Sequence, residues 1–566
     1  MQKQDDSNIS QPWLNHYPVG IDWHMPFAAC AVHDFMRHAE DKFADRPAFD
    51  FLGKKWTWRQ IAIAVDRVAA ALQTDRVGKG VKVGLLLPNS PYYLIAYYAV
   101  LRTGATVVNL NPLYAVKELT QLVEDSETEV LITVDLAMVY DKVRDLKTSK
   151  LRLRIVASFC DILPFPKNIL FRLFNASKLA DLPETTSYNK PFSEFLSYEG
   201  KPDPVKIDPH SDVAVIQYTG GTTGTPKGAM LTHANVSINA QQAVAWFDGV
   251  KNGEDKMLGV LPFFHVFAMT VVMNLSVICG LEIIGLPRFD LVDTVNVIHR
   301  KRPTCFPAVP AIYNAIAHYP KIKRFDLSSL RVCIAGGAPL PGEVKVAFEK
   351  ISGCRVREGY GLTEASPVLC MNPIVGEDRT GTIGQPLPGT TIELIGVDDG
   401  KPVPIGQPGE LCARGPQIMK GYYNKPTETA EVLREGRLHT GDVATMSADG
   451  YFTIVDRIKD MIITNGYKVW PKLVEEAIYA NPAVEECIVA GIPDMARGEV
   501  PKAWVKLKEG QTASEDEIKA FLKDKISPME IPKQIEIRDK PLPKTTIGKL
   551  SRKDVLAEEQ AATGGK

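Results

Sequence analysis

The sequence has almost no net charge, because its 66 lysines and arginines are balanced by 67 aspartates and glutamates. A formal net charge of −1 provides no overall attraction to nucleic acid or to an anionic membrane. Apolar residues make up 45% of the chain and charged residues 23%, which is ordinary for a soluble globular protein. Composition alone therefore disfavours a nucleic-acid-binding function.

Paired cysteines and metal-binding spacings are also missing. The nine cysteines are scattered, odd in number and without a C-x-x-C pair, which argues against a disulfide framework or a zinc site. The ten histidines show no H-E-x-x-H or comparable spacing. This usage indicates a reducing, cytoplasmic compartment.

Targeting and membrane-spanning segments are not indicated either. The N-terminus, MQKQDDSNISQPWL, has neither the basic n-region nor the apolar h-region of a secretory signal. The segment nearest to a membrane span, Val266–Leu281, is shorter than ~18 residues and contains Asn274, so a buried helix is predicted. We therefore expect no transmembrane anchor.

The chain of 566 residues is long enough for two to four domains. Short β-branched runs alternate with helical patterns over the first two thirds, which predicts wound α/β sheets with ligand loops at the strand ends. The predicted strands are 83–87, 107–110, 130–134, 153–157, 213–218 and 332–335.

The pattern changes after about Gly381, where glycine and proline become dense. Short strands at 391–395 and 410–413 predict a small antiparallel β unit. From about Arg457 strands and helices mix again, enough for a separate α+β domain. We predict an N-terminal domain over 1–456, with a β-rich subdomain over about 381–456, hinged to a mobile C-terminal domain over 457–566.

The richest segment for chemistry is YTGGTTGTPKG, Tyr218–Gly228, directly after a predicted buried strand. Glycines let backbone N–H groups close on an anion, threonine hydroxyls donate hydrogen bonds, and a lysine adds charge. We expect a helix capped at Thr232 to follow directly and to point its positive N-terminus at the loop. The spacing is not that of a Walker A loop. The predicted phosphate-binding residues are Thr219, Gly220, Gly221, Thr222, Thr223, Gly224 and Lys227.

YTGGTTGTPKGAMLTH resembles the phosphate loop of the adenylate-forming superfamily, which includes acyl-CoA synthetases, luciferases and peptide-synthetase adenylation domains. A second segment, EGYGLTE (358–364), resembles the superfamily's adenine and metal segment. The resemblance implies that Tyr360 stacks on adenine, that Thr363 faces the phosphates, and that Glu364 and Thr222 hold Mg²⁺, which prefers oxygen ligands. Further implied ATP contacts are Gly337, Ala338, Glu358, Gly359, Gly361 and Ile454.

Three further motifs match the superfamily in order. In LHTGD the resemblance assigns Asp442 to the ribose, although Arg437 stands where tryptophan is usual. VDRIKDMIITNG resembles the interdomain hinge, with Arg457 at the nucleotide and Lys459 as the rotating residue. The following Gly466, Tyr467 and Lys468 resemble the coenzyme A path, and Leu473 replaces a common carboxylate.

The last motif, LPKTTIGKLSR (542–552), resembles the segment that carries the catalytic lysine, here Lys549. A lysine there stabilises negative charge as it develops on the α-phosphate. The implied catalytic residues are Lys549, Thr222, Glu364 and His265. The resemblance implies formation of acyl-AMP from a carboxylic acid and ATP, reorientation of the small domain, and transfer of the acyl group to coenzyme A.

The acid itself is expected among small and aromatic residues at strand ends. These predicted acyl-pocket residues are His265, Val266, Phe267, Val309, Gly336, Gly337 and Pro339. The resemblance places a gate at His265, and a core histidine is the alternative. QPWLNHYP, NLNPLY, LPFPKN and LPFFHVF look like bacterial long-chain fatty acyl-CoA synthetases, so a fatty acid is the expected substrate.

The segment Ile162–Leu173 is apolar with interspersed basic residues, and either a resting place on a bilayer or a packing element explains it. A homodimer is left open. A medium-chain or aryl-acid CoA ligase shares every nucleotide motif. An acyl-AMP ligase that charges a separate carrier protein and a non-catalytic binding protein are the alternatives from other classes.

Overall fold

The computed structural model describes residues 11–219, 226–544 and 550–563. The chain divides into two compact units. The large unit comprises Tyr17–Thr391 and Arg414–Gly436, and the small unit comprises Met1–His16, Ile392–Ala413 and Arg437–Lys566. The small unit therefore contains both sides of the hinge predicted at Lys459, and the domain boundary after residue 456 stays a prediction.

The strands of the described residues are numbered in chain order. They are β1 (Pro47–Phe51), β2 (Lys54–Thr57), β3 (Lys82–Leu86), β4 (Thr106–Asn109), β5 (Val130–Val134), β6 (Leu153–Ala157), β7 (Asn189–Pro191), β8 (Val213–Thr219), β9 (Lys227–Thr232), β10 (Lys256–Gly259), β11 (Glu282–Gly285), β12 (Cys305–Ala308), β13 (Val332–Ala335), β14 (Val356–Gly361), β15 (Val368–Met371), β16 (Gln385–Pro386), β17 (Thr391–Ile395), β18 (Gly409–Arg414), β19 (Gly421–Tyr422), β20 (Leu433–Arg434), β21 (Arg437–Met446), β22 (Phe452–Arg457), β23 (Ile462–Thr464), β24 (Tyr467–Val469), β25 (Val484–Asp494), β26 (Gly498–Leu507) and β27 (Gln534–Arg538).

The α-helices connect these strands and are numbered in the same way. They are α1 (Asp34–Phe43), α2 (Trp58–Thr74), α3 (Pro91–Arg102), α4 (Val116–Asp125), α5 (Ala137–Arg144), α6 (Lys167–Phe174), α7 (Phe192–Leu196), α8 (His233–Trp246), α9 (Leu275–Cys279), α10 (Leu291–Lys301), α11 (Pro310–Ala317), α12 (Gly342–Ser352), α13 (Pro426–Val432), α14 (Pro471–Tyr479), α15 (Glu515–Leu522) and α16 (Arg552–Thr563).

Two large sheets build the large unit. One has nine strands in the order β16-β15-β14-β13-β12-β10-β11-β1-β2, and the other has eight in the order β19-β9-β8-β4-β3-β5-β6-β7. The first is parallel in the centre and antiparallel at both edges, whereas the second is antiparallel at its β19-β9-β8 edge and parallel from β8 to its β7 edge. The prediction of wound α/β sheets is confirmed, and in such sheets ligands bind beyond the carboxyl ends of the strands.

Buried strands and helices explain the continuous apolar runs in this part of the sequence. All five residues of β5 are buried, and α3 buries eleven of its twelve residues. Neither element has a face that is largely exposed to solvent, so neither shows an alternation of polar and apolar residues. Helix α3 begins where the Ser90 hydroxyl accepts the Tyr93 N–H and Pro91 occupies the first turn. The segment 266–281 forms a buried π-helix, Ala268–Asn274, followed by α9, as a buried helix was predicted. In the described part of the chain no helix combines the length and apolarity needed to cross a membrane.

The prediction that a helix directly follows the phosphate loop is wrong. Strand β9 intervenes and pairs antiparallel with β8, from Thr219↔Lys227 back to Val213↔Thr232. Thr232 does cap α8, since its hydroxyl accepts the Asn235 N–H. The cap lies at the far end of β9, roughly 16–17 Å from Lys227 along the strand, so the α8 N-terminus is separated from Lys227 by the whole strand.

The small unit contains two antiparallel assemblies. In one, β17, β18 and β21 are neighbours and β22 pairs with β21, which confirms the predicted small β unit. In the other, the sheet order is β24-β23-β26-β25 with β27 parallel to β26, and α14 and α15 pack on a core that includes Val474, Val489 and Ile518. This is the α+β arrangement predicted after residue 457.

Candidate active site

Strand β8 leads into the phosphate loop. Its residues from Ala214 to Tyr218 are buried, and Thr219 ends it with its hydroxyl 3.4 Å from the Lys227 carbonyl oxygen. The predicted residues Gly220, Gly221, Thr222, Thr223 and Gly224 lie outside the described residues. Lys227 begins β9, and its ammonium nitrogen lies 5.3 Å from the ring centre of Tyr422. Among the described residues this ammonium has no carboxylate partner, as suits a lysine that meets an anionic ligand.

Tyr422 also contacts the predicted metal residue. Its hydroxyl donates to Glu364 Oε1 at 2.7 Å. Burial, together with Glu364, raises the pKa of Tyr422 well above its usual value, so the phenol keeps its proton and acts as the donor. No donor within the described part of the chain contacts the other Glu364 oxygen, Oε2. A half-buried carboxylate with one oxygen available fits Mg²⁺, which takes oxygen ligands. We call Lys227, Tyr422 and Glu364 the open cluster.

The segments expected to hold adenine lie side by side. The Glu358 carboxylate accepts the Leu340 N–H at 3.1 Å, which ties the loop after β13 to β14. A Cβ on Gly336 would lie 3.1 Å from the Phe267 ring and 3.5 Å from the Gly359 carbonyl oxygen. This close approach brings together residues predicted for the acyl pocket and for the nucleotide. Tyr360, Gly361 and Thr363 are half-buried beside them.

Glycine at 361 has a steric reason. A Cβ there would lie 2.1 Å from the Pro367 carbonyl oxygen, so only glycine fits where β14 turns back beside β15. The adjacent Met419 N–H donates to the Glu364 carbonyl at 2.8 Å and holds this turn against the segment that ends in Tyr422. The turn that presents Thr363 and Glu364 is therefore fixed by packing.

The predicted acyl gate is attached to the phosphate strand. Gln217 on β8 donates through Nε2 to the Phe264 carbonyl at 3.0 Å, next to the half-buried His265. The His265 Nδ1 accepts the Phe267 N–H at 3.3 Å. Of the other predicted acyl-pocket residues, Val266 is buried and Val309 is half-buried, whereas Gly337 and Pro339 are exposed; Ala338, predicted for the nucleotide, is half-buried between them.

In the small unit, Asp442 and Arg457 face each other across β21 and β22. Arg457 donates through Nε to Asp442 Oδ1 at 3.1 Å, and the Asp442 N–H donates to the Thr440 hydroxyl. Ile454 is half-buried on the same strand as Arg457. The pairing orients one carboxylate oxygen, and the role of Asp442 at the ribose stays a prediction.

The same turn rests on a buried glutamate that the sequence analysis did not single out. Glu410 accepts the Gly441 N–H through Oε1 at 3.1 Å and lies 2.7 Å from His439 Nδ1 through Oε2. With Cys412, these ligand atoms all lie within 4.8 Å of one another. Two ligands of one zinc ion would lie about 3.3 Å apart, so the 2.7 Å contact is a hydrogen bond and we assign no metal here.

A dense ionic network lies at the predicted hinge. Arg552 donates to both Glu475 oxygens at 2.9 Å and to Asp460 at 2.9 Å, and its Nη1 lies 3.6 Å from Asp456. Asp456 also accepts the Lys472 N–H at 2.5 Å, near the N-terminus of α14. Burial raises the pKa of Asp456, and raises that of Glu475 to about 7 against the effect of Arg552. We call Asp456, Asp460, Glu475 and Arg552 the closed cluster.

The remaining predicted residues lie at the surface of the small unit. Lys459 is exposed between Ile458 and Asp460. Asn465 and Gly466 form the turn between β23 and β24 with positive φ angles of 50° and 77°, which favour asparagine and glycine. Tyr467 is exposed, and Lys468 forms an ion pair with Asp398 at 2.6 Å.

The catalytic lysine predicted at 549 lies outside the described residues, whereas both ends of its segment are placed. Lys544 and Leu550 form a β-bridge, and the Ser551 N–H donates to the Pro543 carbonyl at 2.8 Å. Tyr422 and Glu475 were missed because no local motif marks them, and Asp456 was missed because nothing in the hinge motif VDRIKDMIITNG reveals its partner. Their partners lie 58, 16 and 77 residues away in sequence.

Comparison with known proteins is consistent across the chain. A profile of the AMP-binding enzyme family matches residues 35–423, and one of the AMP-binding enzyme C-terminal domain matches residues 473–549. The chain is 44% identical over 554 residues to a long-chain-fatty-acid–CoA ligase of Bacillus subtilis (strain 168), covering 97% of this chain and 98% of the relative. It is 36% identical over 506 residues to a feruloyl-CoA synthase of Amycolatopsis sp, covering 89% and 94%.

Among solved structures, ATP-bound MatB from Rhodopseudomonas palustris matches with a TM-score of 0.81 at 27% sequence identity, covering 93% of this chain and 99% of that chain. The family profile spans more than half of the sequence, and the fold, the ordered motifs and the whole-length relatives agree with it. The resemblance to the adenylate-forming superfamily is confirmed, and this chain belongs to the AMP-binding enzyme family.

Proposed function

We propose that this protein is an ATP- and Mg²⁺-dependent long-chain fatty acid–CoA ligase that forms acyl-AMP and then transfers the acyl group to coenzyme A. The observation that carries the proposal is the 44% identity, over almost the whole length of both chains, to a protein with that activity. The open cluster supports it, since a lysine and a carboxylate oxygen that have no partner in the described part of the chain suit a magnesium nucleotide.

In the first half-reaction the fatty acid carboxylate attacks the α-phosphate of ATP and pyrophosphate leaves. Tyr360 provides a flat surface for adenine, and Asp442, oriented by Arg457, accepts hydrogen bonds from the ribose hydroxyls. Lys227 provides positive charge at the departing phosphates, and Lys549 stabilises the charge that develops on the α-phosphate. When held by Glu364 and Thr222, Mg²⁺ supplies further positive charge to the pyrophosphate.

In the second half-reaction the thiol of coenzyme A attacks the acyl-AMP carbonyl, the thioester forms and AMP leaves with the bonding electron pair. The thiol proton passes to solvent or to the departing phosphate. Rotation at Lys459 would replace Lys549 by the turn that carries Gly466, Tyr467 and Lys468, a gating motion of the kind that accompanies many two-step reactions. The exposure of that turn supports its proposed contact with coenzyme A.

The length and class of the acid follow from the relatives. The feruloyl-CoA synthase relative, at 36% identity, favours an aryl acid as the second candidate. A substrate panel distinguishes the fatty acid from the aryl acid. Each assay contains ATP, Mg²⁺, coenzyme A and one acid, either an acid from C2 to C18 or an aromatic acid, and the release of AMP and pyrophosphate is measured. We expect the highest kcat/KM with C14–C18 acids. Release of ADP, or a clear preference for ferulate, would contradict the proposal.

The two half-reactions can be tested separately with Lys549→Ala. Adenylation should slow by ~10²-fold or more, because the charge on the α-phosphate loses its stabilising cation. Thioester formation from supplied acyl-AMP should stay close to the wild-type rate. Lys553→Ala, four residues further on, is the control and should leave both rates unchanged. Equal loss of both half-reactions in the Lys549 variant would argue against the assignment.

We further propose that α6 rests on a lipid bilayer. Helix α6 buries none of its residues, and Phe165, Leu173 and Phe174 are 80%, 68% and 79% exposed. Phe171, on its other side, packs on Phe159 with ring centres 5.2 Å apart. Lys167 and Arg172 place basic groups among the apolar ones, a combination that suits an anionic bilayer.

Liposome flotation tests this surface. Vesicles with 30% anionic lipid should capture the protein, and the triple change Phe165→Ser, Leu173→Ser and Phe174→Ser should abolish capture. Val292→Ser with Val346→Ser removes two exposed valines on α10 and α12, and should leave capture unchanged. Absence of capture for the wild type, or equal loss in both variants, would identify α6 as a packing element.

A further inference from the structure

We propose that Tyr422 is a positioning residue that keeps Lys227 and Glu364 apart, so that both charges remain available to magnesium-bound ATP. This inference rests on the proposed function, because it concerns the same nucleotide site. Nothing in the local sequence, KGYYN, marks the tyrosine. The geometry of the open cluster carries the assignment.

Tyr422 contacts both charged groups with different parts of its side chain. The hydroxyl donates to Glu364 at 2.7 Å, and the ring lies 5.3 Å from the Lys227 ammonium. The phenol fixes the carboxylate through a charge-assisted hydrogen bond, and the ring face attracts the cation. Lys227 and Glu364 form no ion pair with each other across the described ranges, although both contact the same tyrosine.

The backbone holds the tyrosine firmly in this place. Strand β19 pairs with β9, so that Tyr422 lies opposite Ala229, two residues after Lys227. The Tyr422 N–H donates to the hydroxyl of Thr429 in α13 at 2.9 Å, and the tyrosine is only 6% exposed. A side chain fixed at both its backbone and its tip can hold two other groups in place.

The next residue shows what the same contacts do elsewhere. Tyr423 donates to Glu127 at 2.5 Å, and its ring lies 5.4 Å from the Lys82 ammonium. There the lysine and the glutamate also pair directly, at 3.5 Å, and neutralise each other. Tyr423 therefore joins a closed ion pair, whereas Tyr422 separates two charges. The difference distinguishes a tyrosine that serves ligand binding from one that serves stability.

Four variants use this contrast. Tyr422→Phe removes only the hydrogen bond to Glu364, and Tyr422→Leu also removes the ring under Lys227. Tyr423→Phe and Tyr423→Leu make the same changes at the matched site. ATP binding is measured by calorimetry with Mg²⁺, without acid or coenzyme A, and steady-state constants are then measured for ATP, Mg²⁺ and fatty acid.

We expect Tyr422→Phe to weaken ATP binding about tenfold and to raise the Mg²⁺ concentration needed for half-maximal activity, because Glu364 loses a donor to a charged group. Tyr422→Leu should weaken ATP binding by about 100-fold, because Lys227 and Glu364 can then pair. The KM for fatty acid should not change. The Phe variants keep the ring, and near-UV circular dichroism checks that all four variants fold.

Wild-type affinity for ATP in both Tyr422 variants would overturn the assignment. Equal losses of ATP affinity in the Tyr422 and Tyr423 variants would overturn it as well. The proposed function fails by a different result, the absence of AMP release by the wild type. Because ATP binding is measured without the other substrates, it tests Tyr422 in either case.

Discussion

The open cluster in the large unit and the closed cluster in the small unit each centre on one residue that contacts two charged groups. Tyr422 lies between Lys227 and Glu364, which leave one ammonium and one carboxylate oxygen unpaired among the described residues. Arg552 lies between Glu475 and Asp460, and its donors are occupied by them and by the Val489 carbonyl oxygen.

Polar groups near a surface that lack a partner in the protein can bind ligands. Buried polar groups that have their partners hold segments of the chain together. Breaking the closed cluster should therefore change stability first, and breaking the open cluster should change activity with little effect on stability. Four predictions test this difference, beginning with the largest effect.

Arg552→Met should lower the free energy of unfolding of the small unit by about 3–5 kcal/mol, because Glu475 and Asp456 lose their cation in a buried place. The measurement is hydrogen exchange in α14 and β25 under native conditions. Arg538→Met is the control, since Arg538 pairs with Glu536 and the exposed Glu558, and should change stability by less than about 1 kcal/mol.

A double variant distinguishes lost charge pairing from lost packing. Arg552→Met with Glu475→Leu replaces the pair by apolar groups and should restore part of the stability, because Asp456 still lacks its cation. If the double variant is less stable than the single one, the closed cluster contributes by packing and not by charge compensation.

Glu364→Gln should lower kcat/KM for ATP by ~10²–10³-fold, because the neutral amide gives a weaker ligand for the cation that neutralises the phosphates. The free energy of unfolding should change by less than about 1 kcal/mol, since Tyr422 can still donate to the amide oxygen. Glu377→Gln, an exposed carboxylate in the same unit, is the control. A large loss of stability in the Glu364 variant would remove the distinction between the clusters.

The pH dependence of stability should have opposite signs in the two units. The pKa of Glu475 is raised from 4.5 to about 7, chiefly by burial, so the folded small unit binds the proton more tightly than the unfolded chain. Its stabilising contribution is complete below about pH 4.5 and is lost as the pH rises through about 7. Glu475→Gln should remove the part of this dependence that lies near pH 7 in α14.

In the large unit, burial lowers the pKa of His33 to about 4 and that of His233 to about 3. Their contribution is present above about pH 6.5 and is lost as the pH falls through about 4. Hydrogen exchange in α8 and α14, corrected for intrinsic rates, measures both trends in the full chain. Parallel trends in the two helices would show that the units do not respond separately.

The sequence predicts the open cluster better than the closed cluster. Lys227, Glu364 and Asp442 follow from short motifs, because glycine-rich turns after buried strands restrict both the backbone and the residue types. Strand β9 escapes prediction because both of its faces are largely buried, so KGAMLT shows no alternation of polar and apolar residues. The cap at Thr232 is local and is predicted correctly, whereas its distance from the loop depends on β9.

Contacts between distant segments cannot be read from local patterns. Tyr422 and Glu364 are 58 residues apart, and Arg552 and Glu475 are 77 apart. Propensity and periodicity describe a segment and its faces, but the partner across a sheet depends on strand order and register. The closed cluster therefore emerges only from the fold, although Arg552 is the last residue of LPKTTIGKLSR, and Asp456 and Asp460 lie within VDRIKDMIITNG, two motifs that the sequence reveals.

The smallest predicted effect concerns Lys468. Its charge is paired, as the charges of the closed cluster are, but it lies at the surface. It pairs with Asp398, whose side chain is 82% exposed, so the pair should contribute less than about 1 kcal/mol to stability. Lys468→Ala and Asp398→Ala both break the pair and should change the free energy of unfolding equally. If Lys468 meets coenzyme A, only its own replacement should raise the KM for coenzyme A, by several-fold, while adenylation is unaffected. Asp398→Ala should leave that KM unchanged or lower it, because the lysine is then available. The same KM in both variants would place Lys468 with the structural ion pairs and restrict the coenzyme A path to Gly466 and Tyr467.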